Sequence, residues 1–301
     1  MKKFIEKHLT QIQIGTLALI LIVAGGTGYF IYSLFSRIDS VKNDVALLSE
    51  ELNGKIENLQ GSVDGIIKTS EGLSQNLQAQ QSQSTSLGQT LSGLAGTVNT
   101  LEKLSKTDRE LLQKYSKVYF LNENYVPIQL SDIATKYLKN KNADLKFHSV
   151  VMPFLTKMLD AVDASGATTQ VVSAYRSFGT QSALKKSYLV SYGAGANTFS
   201  ADQGYSEHQL GTTVDLTSAD TSGLEVSFDQ TSAYAWLTNN AYKYGFILSY
   251  PKNNAYYQYE PWHWRFVGIA LATKLHSENK HFYDLNQRDI DSYLVSIFDQ
   301  N

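Results

Sequence analysis

The hydrophobic pattern of the chain changes character twice. Residues 14–35 form a run without a single charged side chain. At about 1.5 Å per helical residue, such a run crosses the roughly 30 Å hydrocarbon layer of a bilayer. It is too long for the apolar core of a cleaved leader, and no small-x-small cleavage site follows it, so the pattern predicts a retained transmembrane anchor. Lys2, Lys3 and Lys7 precede the run and Arg37 and Lys42 follow it, a balance that leans toward a cytoplasmic N-terminus over residues 1–13. Between residues 36 and 114 there is neither an aromatic residue nor a proline. A seven-residue step through that stretch lands on Ile38, Val45, Leu52, Leu59, Ile66, Leu73, Gln80, Leu87, Leu94 and Leu101, apolar everywhere except Gln80. The step predicts a helical seam of the left-handed coiled-coil kind. Glycines at 54, 61, 65, 72, 88, 93 and 96 and a polar stretch over 78–86 weaken it, and a flexible polar spacer is the alternative. Either reading makes residues 36–114 a stalk; about 70 helical residues would extend on the order of 100 Å.

From Tyr115 onward come 30 of the 35 aromatics and all four prolines, which places a domain boundary there and one folded domain over residues 115–301. Val151, Phe154, Leu155, Met158, Leu159 and Val162 recur at helical spacing and predict a helix over about 148–162, stopped by Gly166. A β-branched stretch at 169–174 predicts a strand, residues 180–192 a second helix, and residues 232–244 a third, closed by Gly245. Short strands are predicted at 212–217 and 256–259. The sum is an α+β domain, a small, largely antiparallel sheet with packed helices, preceded by the transmembrane helix and the stalk.

Charge and composition narrow the function. A formal charge of -2 offers no basic excess for a phosphate backbone, so nucleic acid is not an expected partner. The chain has no cysteine, which leaves His, Asp and Glu as metal ligands and removes thiol nucleophiles.

Two segments concentrate unusual side chains: Ser206-Glu-His208-Gln-Leu-Gly211-Thr-Thr-Val-Asp215 and Glu260-Pro-Trp-His263-Trp-Arg265. A glycine turn followed by an alternating strand lets His208 and Asp215 aim at one point, and His263 can complete a His, Asp, His set. Three protein ligands leave the fourth tetrahedral position open for water, the arrangement of a catalytic zinc. Glu260, separated from His263 by the rigid Pro261, can stand beside such an ion as a base without ligating it. His8, His148, His276 and His281 read as surface or hydrogen-bonded histidines, and Asp215 or Glu260 alone would read as a turn or surface carboxylate. Trp262, Trp264, Tyr256, Tyr257 and Tyr259 read equally as pocket walls or as ordinary core.

These two segments, together with Tyr175-Arg176-Ser177-Phe-Gly-Thr-Gln181, resemble the signature of VanY-like D-alanyl-D-alanine carboxypeptidases over residues 121–275. The resemblance implies the LAS-type zinc peptidase fold, with one zinc ion on His208, Asp215 and His263 and Glu260 as catalytic base. It implies Arg176 as the cation facing the substrate, with Gln181 and Ser206 lining the substrate pocket. Where the family commonly has Arg-Tyr-Pro, this chain has Ser249-Tyr250-Pro251, a departure that leaves any substrate contact from that arginine without a counterpart. In this chemistry the carboxylate of Glu260 takes a proton from the attacking water and returns it to the leaving amine, while Arg176 pairs with a terminal carboxylate or steadies the developing oxyanion.

The expectation is therefore a membrane-anchored enzyme on the cell-wall side that removes a C-terminal D-alanine from peptidoglycan stem peptides, with D,D- or L,D-specificity open and self-association through the stalk. The competing readings are a zinc-containing wall-peptide binding or assembly protein without catalysis, and an endopeptidase cutting cross-links.

Overall fold

The computed structural model describes residues 1–114, 119–196 and 200–300, so the boundary expected at Tyr115 lies outside the described residues. Two compact units are present, Met1–Leu91 and Ser92–Asn301. Helix α1 runs Lys2–Lys106 with none of its residues buried. Its apolar stretch near the N-terminus is long and apolar enough to cross a membrane. Further along, the seven-residue seam lies on the helix surface, Val45, Leu52, Leu59 and Leu73 being 59% to 65% exposed. The glycines in this region are accommodated within the helix.

The second unit takes in residues that the sequence groups with the stalk. A turn of 3-10 helix at Arg109–Leu112 puts Leu111 and Leu112 into the main hydrophobic cluster, both at 1% exposure or less. Asp108 caps that turn by accepting from the amide of Glu110.

Six short strands follow among the described residues. β1 (Leu130–Asp132) and β2 (Lys146–His148) form an antiparallel pair. β3 (Gln170–Ser173), β4 (Thr213–Thr217), β5 (Phe246–Leu248) and β6 (His263–Phe266) form a second sheet in the order β3-β4-β6-β5, antiparallel throughout. The central strands β4 and β6 alternate polar and apolar residues, yet both are buried along their whole length: Val214, Leu216, Trp264 and Phe266 go to the hydrophobic core, and Asp215 and His263 are register partners on the opposite face.

Helix α2 (Met152–Ala164) starts four residues after the expected position, because Lys146–His148 is claimed by β2 and Pro153 favours the first helical turn. It buries Phe154, Leu155, Met158, Leu159 and Val162 in the core. Helix α3 (Phe178–Tyr192) is capped by Ser177, whose Oγ accepts from the amide of Thr180 at 3.1 Å. Helix α4 (Ser232–Asn240) passes into a 3-10 turn at Ala241–Tyr244 that ends at Gly245 in the left-handed region. Helices α5 (Ile269–Ser277) and α6 (Gln287–Asp291) complete the unit.

The strand expected at 256–259 does not form. Asn254 Oδ1 accepts from the amides of both Tyr256 and Tyr257, an Asx turn that removes the donors a ladder would need. The fourth strand is instead His263–Phe266, so the Glu260 segment opens a strand rather than ending one.

Candidate metal and peptide site

Register brings the two ends of the chemistry together. β4 and β6 pair with Asp215 opposite His263, and directly opposed residues of an antiparallel pair share a face. His208 arrives from the other side. It lies on the 3-10 turn Glu207–Leu210, which Gly211 closes at φ 69° before β4 begins. A Cβ at Gly211 would stand 3.1 Å from Pro127 Cγ and 3.2 Å from Leu130 Cδ2, so the turn is packed as well as left-handed.

The result is a compact set in which ligand atoms of His208, Asp215 and His263 all lie within 4.8 Å of one another, each residue buried. His208 Nε2 is 3.0 Å from Asp215 Oδ2, and His263 Nδ1 is 3.1 Å from Asp215 Oδ1. The two imidazoles stand edge to face, 5.0 Å between centroids. Each ring has its second nitrogen occupied: His208 Nδ1 donates to the carbonyl of Ala174 at 2.7 Å, and His263 Nε2 donates to Glu207 Oε2 at 3.0 Å. That pattern fixes the tautomers and turns His208 Nε2 and His263 Nδ1 toward Asp215. His208 Nε2 is a buried polar atom without a hydrogen-bond partner among the described residues. An orphaned imidazole nitrogen beside a buried carboxylate and a second imidazole is a donor set that suits zinc.

The electrostatics agree for His208 and Asp215, whereas His263 is raised to about 9, Asp215 and Glu207 outweighing the effect of burial. Burial, aided by the positive Arg176, pulls His208 down to about 4 and keeps it neutral, the form that can ligate. Burial opposes the charge on Asp215, yet His208 and His263 hold its carboxyl well below the ordinary range. Glu260 behaves differently. Its Oε2 is 3.5 Å from His263 Nδ1, and its side chain is 17% exposed. Burial pushes its carboxyl up to about 7, with His263 and Arg176 opposing and Asp215 adding to the rise. Two carboxylates side by side with affinities pushed apart suit one for ligation and the other for proton transfer.

A cavity of about 410 Å³ opens over this set and is lined by every residue singled out in the sequence: Arg176, Gln181, Ser206, His208, Asp215, Glu260 and His263. Arg176 Nε is buried without a hydrogen-bond partner among the described residues. Gln181 is 2% exposed; its Nε2 donates to the carbonyl of Ala201 at 2.8 Å, and its Oε1 is buried and unpartnered among the described residues. Of the five aromatics with two readings, Trp262 lines the cavity, Trp264 is buried in the core, and Tyr256 and Tyr257 pack against it. Tyr259 lines a separate cavity of about 640 Å³, which contains none of the residues named above for chemistry. Tyr250 was not singled out, yet its ring stacks on His263 at 3.9 Å and it faces the cavity. Glu207 was also missed, although it is next to His208 in sequence and fully buried. Two other histidines have different neighbours: His148 stacks on Phe298 and His276 on Tyr242.

Comparison with known proteins places the same region. The family model described as VanY, D-alanyl-D-alanine carboxypeptidase, matches residues 144–269. YodJ of Bacillus subtilis is 34% identical over 191 residues, covering 58% of this chain and 66% of that protein. A D-alanyl-D-alanine carboxypeptidase of Enterococcus faecalis is 32% identical over 194 residues, covering 60% of this chain and 68% of that protein. The chain thus spans about two thirds of the length of these curated relatives. Among solved structures, the LD-carboxypeptidase LdcB superposes with a TM-score of 0.53 at 30% identity, over 58% of this chain and 85% of that one.

Proposed function

Since the chain belongs to the VanY-like D-alanyl-D-alanine carboxypeptidase family, we propose that it is a zinc-dependent carboxypeptidase that removes a C-terminal D-alanine from peptidoglycan stem peptides. The observation that supports this most is the convergence of His208, Asp215 and His263 within 4.8 Å, with the separate carboxylate of Glu260 beside them. His208, Asp215 and His263 would hold one zinc ion, which when bound would supply Lewis acidity and make a nearby water more acidic.

The residues of the chain do the rest. Glu260 accepts a proton as water attacks the scissile carbonyl and returns it to the leaving amine. Its raised affinity, about 7, lets one carboxyl serve as base and then as acid near neutrality. Arg176, whose buried Nε has no hydrogen-bond partner among the described residues, offers a fixed fork for the terminal carboxylate of the substrate or for the developing oxyanion. Gln181 and Ser206 form part of the wall that receives the peptide, Gln181 Oε1 being an acceptor without a partner among the described residues.

The membrane and the wall define where this happens. In this reading residues 1–13 are cytoplasmic, residues 14–35 anchor the chain, residues 36–114 form the stalk, and residues 115–301 act on the cell-wall side. The apolar stretch of α1 supports the anchor, and the exposed seam of α1 supports self-association through the stalk. Tethering suits a substrate that is itself an immobile polymer, because it replaces diffusion by local sampling.

The test is to give the full chain, in detergent, synthetic pentapeptide and tetrapeptide stems with and without a chelator, beside Glu260→Gln. Release of one terminal residue that disappears with zinc removal, and in Glu260→Gln while zinc stays bound, is the expected result. The stem that loses its residue assigns D,D- or L,D-specificity. Cleavage that persists after complete zinc removal contradicts the mechanism, and zinc uptake without turnover on either stem assigns the site to binding.

A further inference from the structure

We propose that Glu207 is a positioning residue that holds His263 in its ligating orientation, and that Arg265 ties this carboxylate to the chain segment following α1. The inference rests on the zinc reading above and deepens it.

Glu207 is fully buried, and four donors converge on it. Its Oε2 accepts from His263 Nε2 at 3.0 Å, and its Oε1 accepts from Arg265 Nη1 at 2.7 Å, from Tyr283 OH at 2.7 Å and from Ser249 Oγ at 2.9 Å. A carboxylate withdrawn this completely from water is retained only when its charge is answered, and here the equally buried guanidinium of Arg265 answers it at 2.7 Å. One oxygen of Glu207 is thereby fixed by three partners, while the other is presented to the imidazole. His263 is left with one nitrogen toward Glu207 and one toward Asp215, the two-sided hold that orients a metal-ligating histidine.

Arg265 extends the chain of contacts. It follows His263 by two positions on β6, so both side chains share a face of the strand. Its side chain is fully buried, with the guanidinium 4.5 Å from the Phe282 ring centroid. Nη1 donates to Glu207, while Nη2 donates to the carbonyl of Leu111 at 3.0 Å and to that of Gln113 at 3.3 Å. Leu111 and Gln113, just after α1, are therefore held by the same guanidinium that fixes Glu207. A lysine could keep the charge but not reach the two sides at once.

The place of Ser249 follows from the same network. Ser249 is fully buried and donates to Glu207, so this position serves the carboxylate behind His263 rather than facing the cavity.

The test compares zinc affinity, measured by competition with a chromophoric chelator on the full chain in detergent, for the unsubstituted protein, Glu207→Gln and Arg265→Lys. Glu207→Gln keeps the shape and one acceptor but loses the charge, and its zinc dissociation constant is expected to rise about tenfold to a hundredfold. Arg265→Lys is expected to weaken zinc by a smaller factor in the same direction. A cobalt-substituted sample adds a spectral readout of ligand geometry, which a purely structural role for Glu207 would leave unmoved. If Glu207→Gln fails to fold, Ser249→Ala and Tyr283→Phe, each removing one donor to Glu207, carry the test and are expected to weaken zinc several-fold. Affinity and cobalt spectrum unchanged in the folded variants overturn the inference alone; an unsubstituted chain that takes up no zinc overturns the zinc reading and the inference together.

Discussion

Asp215 and His263 face each other as register partners across β4 and β6, with Oδ1 3.1 Å from Nδ1. Because the side-chain period of a strand is two, a slip of one residue in this pairing would send one of them to the opposite face. The register of the sheet and the assembly of the site are therefore the same event. A third element, the turn carrying His208, depends on a single left-handed residue.

That residue is Gly211, and Gly211→Ala tests the dependence. Alanine at φ 69° is strained, and its Cβ would press on Pro127 and Leu130 at 3.1 and 3.2 Å. The substitution is expected to destabilise the fold by about 1–3 kcal/mol, and each kcal/mol lowers the melting temperature by about 2–4 °C in a domain of this size. Calorimetry on the full chain checks this, and zinc affinity should fall with it because His208 is displaced. An unchanged melting temperature contradicts the packing of the turn.

Arg176→Lys separates charge from geometry. Lysine preserves a cation in the cavity but not the planar fork that pairs with a carboxylate through two parallel bonds. We expect kcat/KM on a stem peptide to fall by roughly tenfold to a hundredfold, as loss of about 1.4 to 2.8 kcal/mol of pairing requires. A stem with an amidated C-terminus, which offers no carboxylate, should react equally slowly with both enzymes. A lysine variant as fast as the parent on the free acid shows that Arg176 does not grip the substrate in this way.

Much of this site is visible in the sequence because metal chemistry demands particular residue types, and His208 and Asp215 lie within one short segment. The packing behind the ligands is not visible. Ser249, Arg265 and Tyr283 meet Glu207 from 42, 58 and 76 residues away, and no local period links such positions. The misread strand at 256–259 has a local cause: its tyrosines favour strands, but the side chain of Asn254 takes their amides. Leu111 and Leu112 fall within the stretch without aromatics or prolines that the sequence assigns to the stalk, and only the fold shows that they belong to the core. For helices α2 to α4, by contrast, length and periodicity were sufficient signals.

The exposed seam of α1 gives a third prediction. Leu52 and Leu59 are 59% and 65% exposed in a single chain, and a stalk of this pattern buries them only against another copy. The full chain in detergent is expected to sediment as a discrete oligomer, and the double substitution Leu52→Lys and Leu59→Lys is expected to return it to a monomer without loss of helix. A monomeric parent at all concentrations assigns residues 36–114 to a spacer.

The most direct measurement concerns the ion itself. X-ray absorption at the zinc edge of the full chain, combined with its metal content, reports the number and kind of ligands. One zinc per chain with two imidazole nitrogens at about 2.0–2.1 Å and the rest oxygen, losing its imidazole signal in His208→Ala or His263→Ala, is the result this account requires. A chain that takes up no zinc, or one whose ion remains fully coordinated after both histidines are replaced, contradicts it.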